Sequence, residues 1–262
     1  FDFEWTNRSL FNNTYQRTHS DFPNSPFSAR ALPQGAECLL LKPLKKQLPD
    51  SLLRQPFQLP VTDGRGVSRD SLGRALQLLQ QAGWKLRHQG LYNTQGQPLK
   101  LEILLVNPGM ERILQSYVKT LRNTGIQARL RTVDRAQFKQ RLDAFDYDIT
   151  LLVLPQSLNP GSEQWLYFHS SQANVRGSKN YAGVQDPAVD SLLQSAMQAT
   201  TTNQLQAAMQ ALDRVLLWQH YIVPNWYISQ HRIAYSKRLR HAQIPPYSLG
   251  LRAWWLDPAE TP

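Results

Sequence analysis

The chain has 262 residues, of which 41% are hydrophobic and 18% are charged. This length allows one large domain or two small ones with an ample core, and the composition is that of an ordinary globular protein. The longest apolar runs, LEILLV and ITLLVL, are strand-sized and far shorter than the roughly 20 residues that span a bilayer. The single cysteine, Cys38, excludes an internal disulfide and leaves no cysteine partner for a zinc site.

The formal net charge of +10 raises a nucleic acid or an anionic surface as a possible partner. The basic residues are interspersed along the chain, however, and the densest groups, such as Lys42, Lys45 and Lys46, are short. A solvated basic face is therefore the favoured interpretation, and we expect no nucleic-acid partner.

The first 66 residues are rich in proline, serine and asparagine and predict one helix over about residues 1–15 followed by long loops. An amphipathic helix is predicted from Ser68 to Ala82, and Gly83 ends it. Its predicted inner face consists of Leu72, Ala75, Leu76, Leu79 and Ala82.

The middle of the chain predicts three strands, 99–106, 126–133 and 147–154, separated by two helices. The first helix ends at Gly125, and the second begins at Asp134 with Gln137 three residues later. This β-α-β-α-β order requires parallel strands joined by right-handed crossovers.

Two further helices and a strand follow. Asp186 and Pro187 are a typical helix start, and Thr202 is predicted to cap the next helix. The strand is predicted over 221–229, and a basic tail begins at residue 231.

No catalytic motif is found along the chain. There is no G-x-S-x-G turn, P-loop, H-E-x-x-H motif or glycine-rich dinucleotide turn, and the six histidines lack metal-ligand spacing. Asp143, Asp146 and Asp148 are close in sequence but lack the regular spacing and the glycine of a calcium loop. We therefore expect no enzyme activity, no metal and no cofactor.

The stretch PQSLNPGSEQW (155–165) follows the third strand and is too polar and too long for a simple crossover. In an open α/β sheet, ligands bind beyond the carboxyl ends of the strands. Its amide, hydroxyl and carboxylate groups suit a peptide-like ligand, and they belong to Gln156, Ser157, Asn159, Glu163 and Gln164. The alternative is a solvent loop, in which Asn159-Pro160-Gly161 is only a turn and Glu163 only a charge at a helix start.

Several segments together resemble the extracytoplasmic solute-binding proteins of peptide ABC importers. They are RDSLGRALQLLQQAGW, GQPLKLEILL, DYDITLL, GSKNYAGVQDPAVDSLLQSAM and ALDRVLLWQHYIVPNWY, in this order. The opening FDFEWTNRSLFNNTYQRTHSDFPNS and the stretch QSLNPGSEQW narrow the resemblance to the oligopeptide-binding branch that includes microcin C uptake proteins. Each motif is weak, but their number and order are specific.

The resemblance implies an α/β fold, namely one lobe of a type II periplasmic-binding-protein fold (cluster C), with a central βαβαβ sheet flanked by helices. Such proteins are about twice this length and have two lobes around a peptide cleft. The resemblance thus implies that residues 1–230 form the second lobe and that 231–262 return towards the first. A signal peptide is expected in the other half.

In function, the resemblance implies a periplasmic or extracytoplasmic, monomeric binding protein that closes on a peptide and delivers it to the transmembrane permease subunits of an ABC importer. Three alternatives remain open at this point: a sensor of the same fold without transport, a basic nucleic-acid-binding α/β domain, and an unrecognised hydrolase. Steep salt dependence of DNA binding would support the second.

One departure from the family pattern concerns the ligand's amino end. Many relatives place an aspartate after the third strand to hold the α-ammonium of the peptide, whereas this chain has none between Asp148 and the next helix. The resemblance therefore implies either that Glu163 substitutes or that the ligand is N-blocked, modified or held with its amine outside. Two further ligand-facing candidates are Asn180, in RGSKNY, and Arg17, in YQRTHS, which is suited to a carboxylate or a phosphate.

Overall fold

The computed structural model describes residues 1–230, 232–244, 248 and 250–257. The α-helices are α1 (Phe3–Ser9), α2 (Gly35–Leu41), α3 (Arg69–Gln81), α4 (Gly109–Asn123), α5 (Arg135–Asp143), α6 (Ser162–Phe168), α7 (Pro187–Met197) and α8 (Thr202–Gln219). The strands are β1 (Gln16–Arg17), β2 (Lys85–Arg87), β3 (Gly90–Tyr92), β4 (Lys100–Leu105), β5 (Gln127–Thr132), β6 (Ile149–Thr150), β7 (Trp226–Tyr227), β8 (Leu239–His241) and β9 (Trp254–Leu256). Within this part of the chain, no helix is long and apolar enough to cross a membrane.

The central sheet is parallel, with strand order β5-β4-β6, and this confirms the predicted βαβαβ unit. Ile103 of β4 pairs with Leu130 on one side and with Ile149 on the other. Helices α4 and α5 are the two crossovers. β4 lies between two strands, and Ile103, Leu104 and Leu105 in its second half are buried, as an apolar run predicts for a strand that is covered on both faces.

The third strand is shorter than predicted, because pairing stops at Thr150 and the strand does not continue to residue 154. The apolar run 147–154 predicts that these residues are buried, but it does not show whether a neighbouring strand is present to pair with all of them. β4 itself ends at Leu105, and Val153 is 91% exposed. Leu152 and Val153 therefore leave the sheet and border a cavity instead.

Two other predicted elements are also shorter in the structure. The first helix ends at Ser9, and Asn12 and Asn13 adopt left-handed backbone angles (φ 51° and 57°), which interrupt a helix. The strand predicted over 221–229 is reduced to β7, which pairs antiparallel with β1. Pro224 lacks the N–H that a longer ladder requires.

The helix starts depend on local capping. Asp134 accepts a hydrogen bond from the backbone of Gln137, and Asp186 caps α7 as predicted. The cap of α8 is Thr201, not Thr202, and it forms a complete capping box with Gln204. A capping box requires its glutamine at the third helical position. Gln204 has that position when the cap is Thr201 and not when it is Thr202.

The apolar residues form two clusters. The first, which we call the helical core, joins α2, α6, α7 and α8 around Leu193, Met209 and Leu212. The second, the sheet core, joins β4 and β5 to α4 around Ile103 and Leu114. Helix α3 contributes little to either: Leu72, Ala75, Leu76 and Leu79 share one partly buried face as predicted, but no residue of α3 is fully buried and Ala82 is exposed.

The C-terminal segment forms a small antiparallel hairpin of β8 and β9. Residue 231, where the tail is predicted to begin, lies outside the described residues. Trp255 in β9 is 50% exposed.

Helix α8 holds the loop that follows β1. The carboxylate of Asp213 accepts hydrogen bonds from the Ser20 hydroxyl (2.9 Å), the Asp21 amide (2.8 Å) and the Ala29 amide (2.7 Å). The adjacent Arg214 forms a buried ion pair with Glu37 at 2.7 Å. Burial raises the pKa of Asp213 to about 6, and it remains mostly ionised at neutral pH. These contacts fix the path of residues 20–37, which follow β1.

We predict that Asp213→Ala lowers the free energy of unfolding by about 3 kcal/mol or more, since each buried donor left without a partner costs roughly 1–3 kcal/mol. Urea denaturation at pH 7.5 measures this. The control is Asp70→Ala, which removes an exposed carboxylate in the first turn of α3 and is expected to cost less than about 1 kcal/mol. Equal stability of the two variants would contradict the anchoring role of Asp213.

Candidate functional site

A cavity of about 1,070 Å³ opens at the carboxyl ends of β4 and β6. One wall is formed by residues 105–107, at and just after the end of β4, and by residues 151–154, which follow β6. Segments 59–68 and 221–228 and the beginning of the chain form the others. This cavity therefore lies at the sheet edge where α/β proteins place their ligands.

The lining of the cavity is rich in aromatic residues, and it includes seven of the chain's ten tyrosines. The tyrosines are Tyr15, Tyr117, Tyr147, Tyr167, Tyr181, Tyr221 and Tyr227. Trp226 adds an indole whose ring lies 5.4 Å from that of Phe1 and 5.2 Å from that of Phe11. Such a wall offers large apolar faces with few rotatable bonds, which suits the binding of an extended organic ligand.

Hydrogen bonds to the protein itself hold some of these rings in place. The hydroxyl of Tyr147 donates to the Tyr181 carbonyl at 2.8 Å, and that of Tyr221 donates to Asp186 at 3.2 Å. Burial raises the pKa of both phenols to about 12, so both remain neutral donors at physiological pH. Their rings are thus positioned before any ligand arrives.

Arg17 is the sequence-predicted site residue that lines this cavity. It lies on β1, opposite Trp226 of β7, and is half-buried. Its guanidinium donates one hydrogen bond to the Pro60 carbonyl at 2.9 Å. Burial lowers the pKa of Arg17, although the nearby Glu4 and Asp2 act in the opposite direction.

The 155–165 loop brings four of the other predicted residues together. Gln164 donates to Gln156 (2.6 Å) and to Glu163 (3.3 Å), and the Ser157 hydroxyl donates to Glu163 (2.8 Å). Gln164 is buried, and its side-chain oxygen has no hydrogen-bond partner among the described residues. The side chain of Asn159 is exposed. The loop continues directly from the cavity wall at Leu154, but its polar side chains are not part of the lining.

The carboxylate of Glu163 is largely committed to this loop. It also accepts the Gly161 amide at 3.1 Å. Burial raises its pKa, but the hydrogen bonds from the loop outweigh burial and hold the pKa below its usual value. Glu163 is therefore ionised at neutral pH and organises the loop around itself.

Asn180 is fully buried, and its amide is used within the fold. It donates to the carbonyls of His169 (3.1 Å) and Val184 (2.9 Å) and accepts the Val184 amide (2.8 Å). This arrangement gives Asn180 a structural role, and a ligand contact for Asn180, as for the loop residues, stays a prediction.

Two features of the cavity are missed by sequence reasoning. Tyrosines from segments far apart in sequence share no periodicity, so their convergence gives no signal in the chain. In RGSKNY, the sequence interpretation selects Asn180, whereas its neighbour Lys179 borders the cavity and lies 5.9 Å from the centre of the Tyr167 ring. The available signal was the alternation of buried and exposed side chains along an extended segment.

The comparisons with known proteins identify the family. The model for "Bacterial extracellular solute-binding proteins, family 5 Middle" matches residues 1–175, two thirds of the chain. The chain therefore belongs to the family 5 extracellular solute-binding proteins, and its fold is that of one lobe of a type II periplasmic binding protein.

The relatives and the solved structures agree with this assignment. The chain is 41% identical over 257 residues to an uncharacterised protein, y4wM, of Sinorhizobium fredii, covering 97% of this chain and 39% of that protein. It is 39% identical to the probable peptide-binding protein YejA of Agrobacterium fabrum, covering 97% and 42%. The oligopeptide-binding protein AppA of Bacillus subtilis, solved with a nonapeptide, superimposes with a TM-score of 0.66 at 17% identity, covering 98% of this chain and 45% of AppA. The chain thus spans about two fifths of the length of these curated relatives.

We predict that the 155–165 loop loosens as the pH falls. Because the pKa of Glu163 is lower in the folded than in the unfolded chain, its stabilising effect is present above about pH 4.3 and is lost as the pH falls through the lowered folded value. Hydrogen exchange of the Gly161 amide, followed by NMR between pH 3 and 7, measures this after correction for the intrinsic exchange rate. Protection of the Gly161 amide is expected to decline at low pH in the wild type and to be low at every pH in Glu163→Ala. Protection that does not change with pH in the wild type would contradict the prediction.

Proposed function

We propose that this chain is the ligand-binding lobe of the extracytoplasmic substrate-binding component of an ABC importer, and that the ligand is an oligopeptide. The observation that carries the proposal is the preformed aromatic cavity at the carboxyl edge of the sheet in a family 5 chain. A relative is named as a probable peptide-binding protein, and a neighbour of the same fold holds a nonapeptide, which supports this ligand class.

The proposed mechanism is closure of two lobes around the peptide, by a hinge and without covalent chemistry. In this proposal, residues 1–230 belong to one lobe, and 231–262 return to the other. The half-exposed Trp255 of the C-terminal hairpin supports the second assignment, because large aromatic surface is normally covered by a partner. The closed, monomeric protein would then dock on the transmembrane permease subunits outside the cytoplasm.

The proposed ligand is N-blocked or modified, or is bound with its amine directed away from this lobe, as in the microcin C branch. Glu163, the candidate to replace the family's ammonium-binding aspartate, already accepts hydrogen bonds from Ser157, Gly161 and Gln164. Pairing with an α-ammonium would compete with these contacts. The occupied carboxylate therefore favours a ligand that does not bring a free amine to this loop.

We predict that the polar loop contributes to binding. In a two-lobed protein that contains this chain, Gln156→Ala with Asn159→Ala is expected to weaken peptide binding at least tenfold. Each buried partner left unpaired costs roughly 1–3 kcal/mol, and tenfold corresponds to about 1.4 kcal/mol. Calorimetry with a panel of synthetic peptides of three to nine residues, free and N-acetylated, measures the effect.

The matched control replaces Gln80 and Asn123 by alanine, because both are exposed and lie outside the cavity lining and the loop. Thermal unfolding should show that both double variants are folded, with a modest loss of stability in the loop variant, because it also removes the Gln156 acceptor of the buried Gln164. If the loop variant binds as tightly as the control, the assignment of the loop to the ligand is wrong, even though the family assignment stands.

We also predict that the 262-residue chain alone binds the same peptides weakly or not at all. A cleft between two lobes takes contacts from both sides, and closure removes water from the ligand. Calorimetry on this chain by itself is the measurement, with the two-lobed protein as the reference. Micromolar affinity of the single lobe would contradict the two-lobe mechanism.

A further inference from the structure

A second surface of the chain lies on α2 and on the short 3₁₀-helix, Lys42–Gln47, that follows it directly. One side of this segment packs into the helical core through Leu41 and Leu44, which are buried. The other side is exposed and carries one leucine and three lysines, and we call it the lysine face. Its residues are Leu39, Lys42, Lys45 and Lys46. None of them lines the cavity.

Helical spacing places these side chains close together. Leu39 and Lys42 are three residues apart, a separation that makes side chains neighbours on a helix. In a 3₁₀-helix, side chains three residues apart are eclipsed, so Lys45 follows Lys42 in the same row and Lys46 lies beside them. Leu39 is 67% exposed. A large apolar side chain therefore stands in water at the end of a row of ammonium groups.

The positive charge of the lysine face is not balanced locally. Glu37 is the only acid in residues 31–49, and its carboxylate pairs with the buried Arg214 at 2.7 Å. Helix α8 packs against α2, and its only charged residues, Asp213 and Arg214, are both buried. The nearest exposed acid along the chain is Asp50. None of the three lysines forms an ion pair with another described residue.

The composition of the lysine face favours a lipid surface over a protein surface as its partner. Protein–protein interfaces are enriched in arginine and aromatic residues and depleted in lysine, and this face has lysines only. A lysine ammonium is a compact point charge on a flexible stem, which suits the spread-out phosphate charge of lipid headgroups. The exposed leucine adds an apolar group of the kind that enters the boundary between headgroups and acyl chains.

We propose that the lysine face docks this protein on a bilayer surface that contains anionic phospholipids, with the three ammonium groups on headgroup phosphates and Leu39 at the acyl boundary. The inference goes beyond the proposed function, because the face lies outside the cavity and needs no peptide. The contact is reversible, since three lysines and one leucine attract a bilayer far less than a membrane-spanning helix does. In the proposed importer, it would keep the binding protein close to the membrane of its permease.

Sedimentation of the two-lobed protein with phospholipid vesicles tests this proposal. Phosphatidylcholine vesicles with one third phosphatidylglycerol are compared with vesicles of phosphatidylcholine alone. At low salt, the wild type is expected to bind the anionic vesicles at least tenfold more tightly, and added salt should weaken that binding by screening. The triple variant Lys42→Gln, Lys45→Gln, Lys46→Gln should lose at least tenfold in affinity, and Leu39→Gln at least threefold.

The matched control replaces Lys85, Lys100 and Lys119 by glutamine, which removes the same charge from exposed positions elsewhere. Its affinity for anionic vesicles should stay within threefold of the wild-type value. Equal losses in the two triple variants would mean that net charge alone attracts the protein, and would overturn the lysine face. Equal binding of the wild type to both kinds of vesicle would also overturn the proposal.

Peptide affinity and thermal unfolding separate this inference from the proposed function. Both should be close to wild type in the lysine-face variants, because the substituted side chains are exposed and lie outside the cavity. An acidic protein partner would give a different result. If the triple variant binds anionic vesicles like the wild type but stimulates the permease less in phosphatidylcholine nanodiscs, the face contacts protein and lipid docking is wrong.

Discussion

The arrangement of the site depends on a buried carboxylate in the middle of helix α8. Asp213 binds two backbone amides and one hydroxyl of the loop that follows β1, and its neighbour Arg214 binds Glu37 and the Ala31 carbonyl. These long-range contacts join the beginning of the chain to its longest helix. They hold the β1–β7 pair in place, and with it Arg17 opposite Trp226. A buried charge is tolerated there because every oxygen of Asp213 is hydrogen-bonded.

Around the cavity, hydrogen bonds within the protein occupy some polar side chains and leave others available. Asp2, Asn180 and Glu163 each bind several backbone or loop groups, so their polar atoms stabilise the lobe. Arg17 and Lys179 make fewer contacts within the protein. Between them, tyrosine rings present apolar faces. This combination suits an extended organic ligand, and the proposed oligopeptide is of that kind.

The sheet explains why the cavity lies where it does. β6 pairs with β4 over only two residues, and the apolar residues after Thr150 continue without a strand partner. Their exposed side chains border the cavity, while the polar loop follows immediately. In the proposed two-lobed protein, closure would cover this apolar surface and would remove water from the surface and from the trapped ligand.

The sequence by itself determined the parallel βαβαβ unit and most helix starts, because strand hydrophobicity and capping act over a few neighbouring residues. It also determined the family, through the order of many weak motifs, and of its candidate ligand-binding residues Arg17 lines the cavity. Only the tertiary structure decided that Asn180 is buried, that β6 stops at Thr150 and that seven distant tyrosines share one cavity. The end of β6 and the shared cavity depend on which segments meet in space, and segments far apart in sequence leave no local pattern that predicts such contacts.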